Sequence, residues 1–558
     1  IMKTKYLLLL ILINFSLLPN CFAKGEIIYL STDRDFYIAG ENMWLSLFSF
    51  TKDNESSLML NNHNKIAYIE ISNSSGTVIT EKILITDSRG SGIINLPPNL
   101  PSGFYNIYAY TNNETNLNET PLFKKRFAII NTLISQSVQE GVIVEKEDSS
   151  SITGNNYQTI DNLNNASKNL KIAKKENKVY LENTGSENLT LSLSIYNTSQ
   201  IEEDLNPSGI STYLKNTIDH KYSQFDFSEA INFEGEVIKG SVTDMDGNIV
   251  AGHQLFLSVA QDKSNIYSTI TDSLGMFKIY TYPIFGEREL YLETITSDTL
   301  NSFNYSILDP FRRINGDSFP TLNIKKSYEK ELIKRSYEMQ IYRRSMADTL
   351  LKFKSILSDP LLNYNLNKEY ILDHYTRFPF IRDILIEYVK ELQHRIINNK
   401  PTIRMIWQDR VGNIHVSYGN SLILLDGIPI FDHSQIINYD PLKIETLKLY
   451  PGEYHIGPSK FEGIVLFNTY KNDFADLKIK DNARLIEFKG VLNPIESSYN
   501  FSKDWVYKLS SLIFWNPIIS LKGGEKIEID LSKSNLSNRK DKITYKVEGF
   551  SKEGSSPI

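Results

Sequence analysis

The stretch Tyr29-Leu30-Ser31-Thr32-Asp33-Arg34-Asp35-Phe36-Tyr37-Ile38-Ala39-Gly40-Glu41 decides how this chain is read. It links the apolar run Ile27–Leu30 to the run Met43–Phe48 through a charged turn and a glycine. Short runs of β-branched and aromatic residues with a period of two, bounded by Asp, Asn, Gly and Pro, predict strands of a sandwich. The same pattern returns in Ala67-Tyr68-Ile69-Glu70-Ile71 and in Gly103-Phe104-Tyr105-Asn106-Ile107-Tyr108-Ala109-Tyr110. Residues 24–131 are therefore expected to form a β-sandwich. Trp44 and Tyr110 are expected to fill its core, with partner contact through Trp44 as the alternative.

Upstream, Lys3 and Lys5 precede the apolar run Tyr6–Ile13, and Cys21-Phe22-Ala23 closes the segment. A positive start, an apolar middle and a small-residue end predict a signal peptide over 1–23, cleaved after Ala23. Lipidation at Cys21 is the rival reading. The run is shorter than the ~20 apolar residues of a membrane span, so no transmembrane segment is expected in the mature chain. Cys21 is the single cysteine, and an exported chain without disulfides fits a bacterial periplasm or cell surface. With 60 basic against 66 acidic side chains, a net charge of -6 and no basic stripe, a nucleic-acid partner is not expected.

Downstream, residues 132–168 read as a polar linker. Residues 169–230 read as a second β domain, carried by Lys178–Glu182 and by Leu189-Thr190-Leu191-Ser192-Leu193-Ser194-Ile195-Tyr196, with an irregular or helical tail around Ser211–Tyr222. A third β unit is expected over 231–308. Within 309–370 the period changes: Tyr328, Leu332, Tyr337, Ile341, Leu350 and Phe353 predict an amphipathic helical linker. A further helix is expected over Phe380–Lys390, after Pro379. A small α/β domain is assigned to 371–475. A last β-sandwich is assigned to 476–558, where Trp515-Asn516-Pro517 reads as a core residue followed by a turn.

Three of these blocks resemble known families. Tyr29–Glu41, with its Thr-Asp-Arg turn and Tyr-x-x-Gly-Glu turn, resembles the opening of an alpha-2-macroglobulin MG2 domain, and Leu100-Pro101-Ser102-Gly103-Phe104-Tyr105 is similar to that domain's closing turn and strand. Gly240-Ser241-Val242-Thr243-Asp244 with Thr271-Asp272-Ser273-Leu274-Gly275-Met276-Phe277 resembles the carboxypeptidase regulatory-like fold, which implies a structural or interaction module. Leu425-Asp426-Gly427-Ile428-Pro429, Lys443-Ile444-Glu445 and Glu462-Gly463-Ile464-Val465 resemble the plug of TonB-dependent outer-membrane receptors. Such a receptor needs a barrel of many ~10-residue strands after its plug. The stretch beyond Tyr470 is too short for one, so the plug-like fold is expected to act without a barrel. Together the blocks resemble large envelope proteins of Bacteroidetes. The expected fold class is mainly β: Ig-like or macroglobulin-like sandwiches in series, with a helical linker and a small α/β plug-like domain.

Catalytic constellations are sparse. None of the eight histidines falls in a His-Glu-x-x-His spacing. Asp426, Asp432, His433, Glu453 and His455 come nearest to a cluster, either as ligands gathered by loops or as solvated turn residues. There is no Cys-Gly-Glu-Gln thioester and no Gly-x-Ser-x-Gly elbow, and Ser327-x-x-Lys330 stands without companion motifs. The chain is therefore read as a non-enzyme with no cofactor and no metal. It is expected to be a scaffold or adaptor whose partner is a protein of the outer membrane, either a β-barrel transporter or a secretion pore. Asp426, Gly427, Pro429, Asp432 and Trp44 are its expected contacts, with Asp426-Gly427 read as a two-residue hairpin turn. A glycan- or peptide-binding protein and an unrecognised hydrolase are the alternatives.

Overall fold

The computed structural model describes residues 26–52, 58–60, 64–112, 122–134, 137–145, 169–205, 234–261, 265–295, 302–350, 368–408, 414–416, 420–495, 499–500, 511–531 and 543–551. The expected signal peptide and the Ser211–Tyr222 tail lie outside them. Two compact units divide the chain: residues 1–233, 311–353 and 492–558 form the first, and residues 234–310 and 354–491 the second. The fold is mainly β, with several sandwiches, and each unit takes strands from distant parts of the sequence.

Unit one stacks four sheets. An outer sheet orders Phe36–Ile38, Phe123–Ile130, Gly103–Tyr110, Ile66–Asn73 and Gly76–Leu84. It packs on a second sheet, in which Asn42–Lys52 pairs with Glu26–Thr32, Leu58–Leu60 and Arg89–Asn95. Leu45, Leu47, Ile69, Ile107 and Phe127 share the core between them. A third sheet carries Leu189–Asn197 between Leu512–Leu521 and Ile543–Ser551. A fourth orders Leu170–Lys175, Lys178–Asn183 and Lys526–Asp530. Along Leu189–Asn197 the odd residues Leu189, Leu191, Leu193 and Ile195 fill the core toward the fourth sheet. The even residues Thr190, Ser192, Ser194 and Tyr196 are buried as well. They face the second sheet: Ser194 Oγ donates to the Asp33 carbonyl at 2.9 Å, and Thr190 Oγ1 accepts from Arg89 at 2.9 Å.

Strand pairing corrects the expectation of a separate sandwich over 476–558. Ala483–Lys489 joins a sheet of unit two, whereas Leu512–Leu521 and Ile543–Ser551 flank Leu189–Asn197 in unit one. Trp515-Asn516-Pro517 is no turn either. It lies inside a strand, at a register shift between Leu191 and Leu193, where a residue without an N–H fits a bulge.

Helix α1 (Gln200–Leu205) follows Leu189–Asn197, and helix α2 (Glu329–Leu350) supplies the helix expected within 309–370. The residues before α2 are a strap across the outer sheet rather than a spacer. The Phe311 ring meets Tyr68 edge-on at 5.6 Å, and the Arg312 amide donates to Glu70 at 2.9 Å. Asp317 accepts from Asn106 at 2.6 Å and from Tyr108. Leu322–Ile324 then pairs in parallel with Val142–Val144, so the expected polar linker over 132–168 contains a strand in its described part.

Unit two joins a sandwich to an α/β layer. Val237–Asp244, Met276–Tyr280 and Phe303–Ile307 form one sheet, and Gln254–Val259, Ile266–Ile270, Glu287–Ile295 and Ala483–Lys489 the other. A five-stranded sheet runs in the order Lys368–Ile371, Ile444–Ile456, Ser459–Thr469, Leu422–Leu425 and Ile428–Pro429. It packs with helices α3 (Ile381–Glu387) and α4 (Ser434–Ile437) around Ile384, Leu425, Ile436, Leu447 and Phe467. A meander of Leu392–Ile397, Lys400–Gln408 and Ile414–Val416 stands beside this sheet.

Candidate functional site

The charged turn that opens unit one builds the densest polar site in that unit. Asp33 Oδ1 accepts from the Tyr37 hydroxyl at 2.7 Å and from the Trp44 amide at 2.9 Å, while Oδ2 takes Arg34 Nε at 3.0 Å. One carboxylate thus closes the turn and fixes the start of the next strand. Gly40 sits at φ +97°, and a Cβ there would come within 3.0 Å of Met339 and Arg343 on α2. The backbone angle is what favours glycine here, and a Cβ would in addition crowd two side-chain ends of the helix. Glu41 then folds back: it accepts from the Ile38 amide at 2.8 Å and grips Arg335 of α2 through two 2.8 Å bonds. The Arg335 guanidinium covers the Phe36 ring at 4.6 Å and also donates to the Phe36 carbonyl at 3.0 Å. Fork-to-fork pairing of this kind is the strong form of ion pair.

A second knot lies on the same face. Lys125 reaches Asp35 at 2.5 Å, and Lys546 lies 3.6 Å from Asp35 and 3.7 Å from Glu548. Glu548 also accepts from Tyr29 at 2.9 Å and from Ser31. Burial alone would raise the Asp35 carboxyl, but Lys125 and Lys546 hold it down to about 2. Glu41 moves the same way, because Arg335 and Arg34 outweigh its burial. Buried ions in compensating pairs maintain geometry; carboxylates held this low are poor proton acceptors near neutral pH.

Beside the first knot runs a narrow cleft of about 30 Å³, lined by Arg34, Glu41, Trp44, Arg335, Tyr342 and Ser511 among others. That is room for about two waters. Trp44 forms one wall yet is only 2% exposed and lies 5.1 Å from the Trp515 ring. Its expected role as a partner contact is corrected: the indole is buried against the third sheet.

In unit two the Asp426-Gly427 turn has φ +47° and +85°, and Leu425 pairs with Ile428 across it. This is the two-residue hairpin that Asp-Gly favours. Asp426 is fully buried. Its Oδ1 accepts from the Thr469 amide at 2.8 Å, and its Oδ2 from Thr469 Oγ1 at 2.6 Å and the Phe474 amide at 2.8 Å. Gly427 and Pro429 are buried too. These three are corrected from partner contacts to interior supports, since each is enclosed by its own sheet. Asp432 alone of the five is exposed, with Oδ1 accepting from the Ser434 amide and hydroxyl at 3.1 and 2.7 Å.

The residues nearest to a cluster in the sequence stay apart. His433 Nδ1 accepts the Ile403 amide at 2.8 Å, and burial pushes that imidazole down to about 4. Glu453 meets His455 and Lys460 on an exposed hairpin, at 2.9 and 2.7 Å. Among the described residues no group of three or more His, Cys, Asp or Glu could hold a metal ion.

Sequence reading missed Lys125, Glu202, Arg335, Lys546 and Glu548. Three of them left a signal. Arg335 lies between Leu332 and Met339 on the buried face of α2, and Lys546 and Glu548 share one face of their strand with Phe550. A charge within an apolar stripe calls for a buried counter-charge.

No family model matches the sequence, and no curated protein matches it. Among solved structures, the chain is similar to native alpha-2-macroglobulin of E. coli, with 8% identity and a TM-score of 0.21 over 95% of this chain. The elastase-activated form of the Escherichia coli protein gives 9% identity and a TM-score of 0.22 over 95%. Salmonella alpha-2-macroglobulin reacted with methylamine gives 8% identity and a TM-score of 0.21 over 96%. This chain spans 39%, 43% and 39% of those three chains. At these TM-scores the fold rests on the chain's own sheets and cores.

Proposed function

We propose that this chain is an exported, non-catalytic scaffold that docks to a protein of the outer membrane, a β-barrel transporter or secretion pore. The observation that carries the reading is the outward face of the unit-two meander. Ile414 and Val416 are 72% and 40% exposed, and they pair with Gln408 and Ile406 of the neighbouring strand. Among the described residues the strand Ile414–Val416 is paired on one side only. A β-branched surface at a strand edge suits partner-strand addition. Asp432 stays in the proposal as a polar rim contact. The plug-like and regulatory-like resemblances, and the resemblance to Bacteroidetes envelope proteins, agree with this reading. So does an envelope location, in the periplasm or at the cell surface. Among the described residues no helix is long and apolar enough to cross a membrane.

The test is capture of the tagged full chain from detergent-solubilised outer membranes, beside an Ile414→Asp/Val416→Asp double variant. A barrel protein recovered with the natural chain and lost with the variant is expected. A natural chain that repeatedly elutes alone, or a variant that recovers the same barrel equally well, overturns the reading.

A further inference from the structure

One acid of the unit-one seam has no counterpart. Arg34, Lys125, Arg335 and Lys546 are met by Asp33, Asp35, Glu41 and Glu548. Glu202 of α1 is left over. It is 8% exposed, and neither carboxylate oxygen has a hydrogen-bond partner among the described residues. Tyr196 on the strand Leu189–Asn197, Arg34 and Asp35 of the charged turn and Arg335 of α2 act on it electrostatically, Lys546 acts on Tyr196, and Glu331 of α2 accepts the Gln200 amide at 3.4 Å. The hydrogen bonds these arginines close go elsewhere: Arg34 Nε and Nη1 to Asp33 and Ser511, Arg335 Nε and Nη2 to Glu41 and the Phe36 carbonyl. The turn is otherwise well seated. Ser199 Oγ accepts the Glu202 amide at 3.1 Å, and Ile201 is buried in the cluster of Phe36, Leu322 and Leu332.

We infer that α1 is a proton-operated latch on the seam: with Glu202 uncharged, Ser199–Leu205 is held down, and with Glu202 ionised the segment lifts. An ionised carboxylate here is drawn by Arg335, Arg34 and the Ser199 amide. Yet it is shut off from solvent and closes no well-formed hydrogen bond among the described residues, and burying a charge so weakly compensated is costly. Burial, with Asp35 nearby, pushes this carboxyl up to about 7 against the pull of Arg335, Arg34 and the Ser199 amide. Only a proton is exchanged with solvent. Lifting α1 also withdraws Ile201 and so loosens the cluster that seats α2.

Amide exchange of the intact protein, followed by mass spectrometry and corrected for the intrinsic pH dependence, reads the latch. Between about pH 6 and about pH 8.5 the protection of Ser199–Leu205 is expected to fall about tenfold or more, while Gly103–Tyr110 keeps its protection. Glu202→Gln should keep the high protection at both values. Protection of the natural segment that does not change with pH overturns the inference, whatever the variant does. An equal fall in Glu202→Gln overturns it as well.

Discussion

Two turns, one in each unit, centre on an aspartate whose carboxylate is consumed within the fold, and they solve the problem differently. Asp33 belongs to a seam where cations and anions come from the turn itself, from α2 and from strands hundreds of residues away. Asp426 is held by hydrogen bonds alone, two from Thr469 and one from Phe474. The first is a long-range knot that fastens three sheets and α2; the second is a local clasp that fixes one hairpin against its neighbouring strand. A motif visible in sequence can mark either kind, and the difference lies in who supplies the partners.

That contrast can be broken by substitution. Arg335→Ala leaves the buried Glu41 with only the more distant Arg34, at 3.8 Å, as its cation and strips the Phe36 carbonyl of a donor, so a loss of about 3–4 kcal/mol in urea unfolding is expected. A loss below about 1 kcal/mol would reduce the seam to decoration. Asp426→Ala orphans three donors and should cost about 3 kcal/mol by the same measurement. If it costs more than Arg335→Ala, the ranking of knot over clasp is wrong.

Glu202→Gln sharpens the comparison through pH. The folded value of about 7 lies above the ordinary 4.5, so the folded chain keeps a proton that the unfolded chain releases. That contribution is complete below about pH 4.5 and is lost as pH rises toward about 7. The variant should therefore match the natural protein near pH 4.5 and exceed it by about 2 kcal/mol near pH 8. A gain independent of pH would contradict the assignment. The smallest effect is expected from Asp432→Ala, which removes an exposed acceptor of the Ser434 amide and hydroxyl: about 0.5 kcal/mol or less by thermal melting, with the loss appearing in partner capture instead.

The mainly β character was legible because a period of two shows in each strand by itself. So was the Asp426-Gly427 hairpin, which needs only its own two residues. The helix Glu329–Leu350 was legible from its apolar period, and Arg335 on its buried face was the overlooked sign of a distant acid. Leu189–Asn197 shows the limit most clearly. Its Leu-Thr-Leu-Ser alternation predicts one dry and one wet face, yet both faces are covered, because the hydroxyl face meets a polar seam rather than solvent. The 476–558 boundary failed for a related reason: strand pairing across the chain leaves no local mark in composition.

The bond between Tyr29 and Glu548 joins residues 519 positions apart, and Phe550 packs against Phe48 and Phe50 at 5.0 and 4.5 Å. During synthesis at roughly 5–20 residues per second, the earliest strands must wait about half a minute or longer for these partners to be made. Contacts of such sequence separation also make the final docking step slow. Maturation of the N-terminal sandwich is thus timed by the arrival of Ile543–Ser551 and not by any turn of its own.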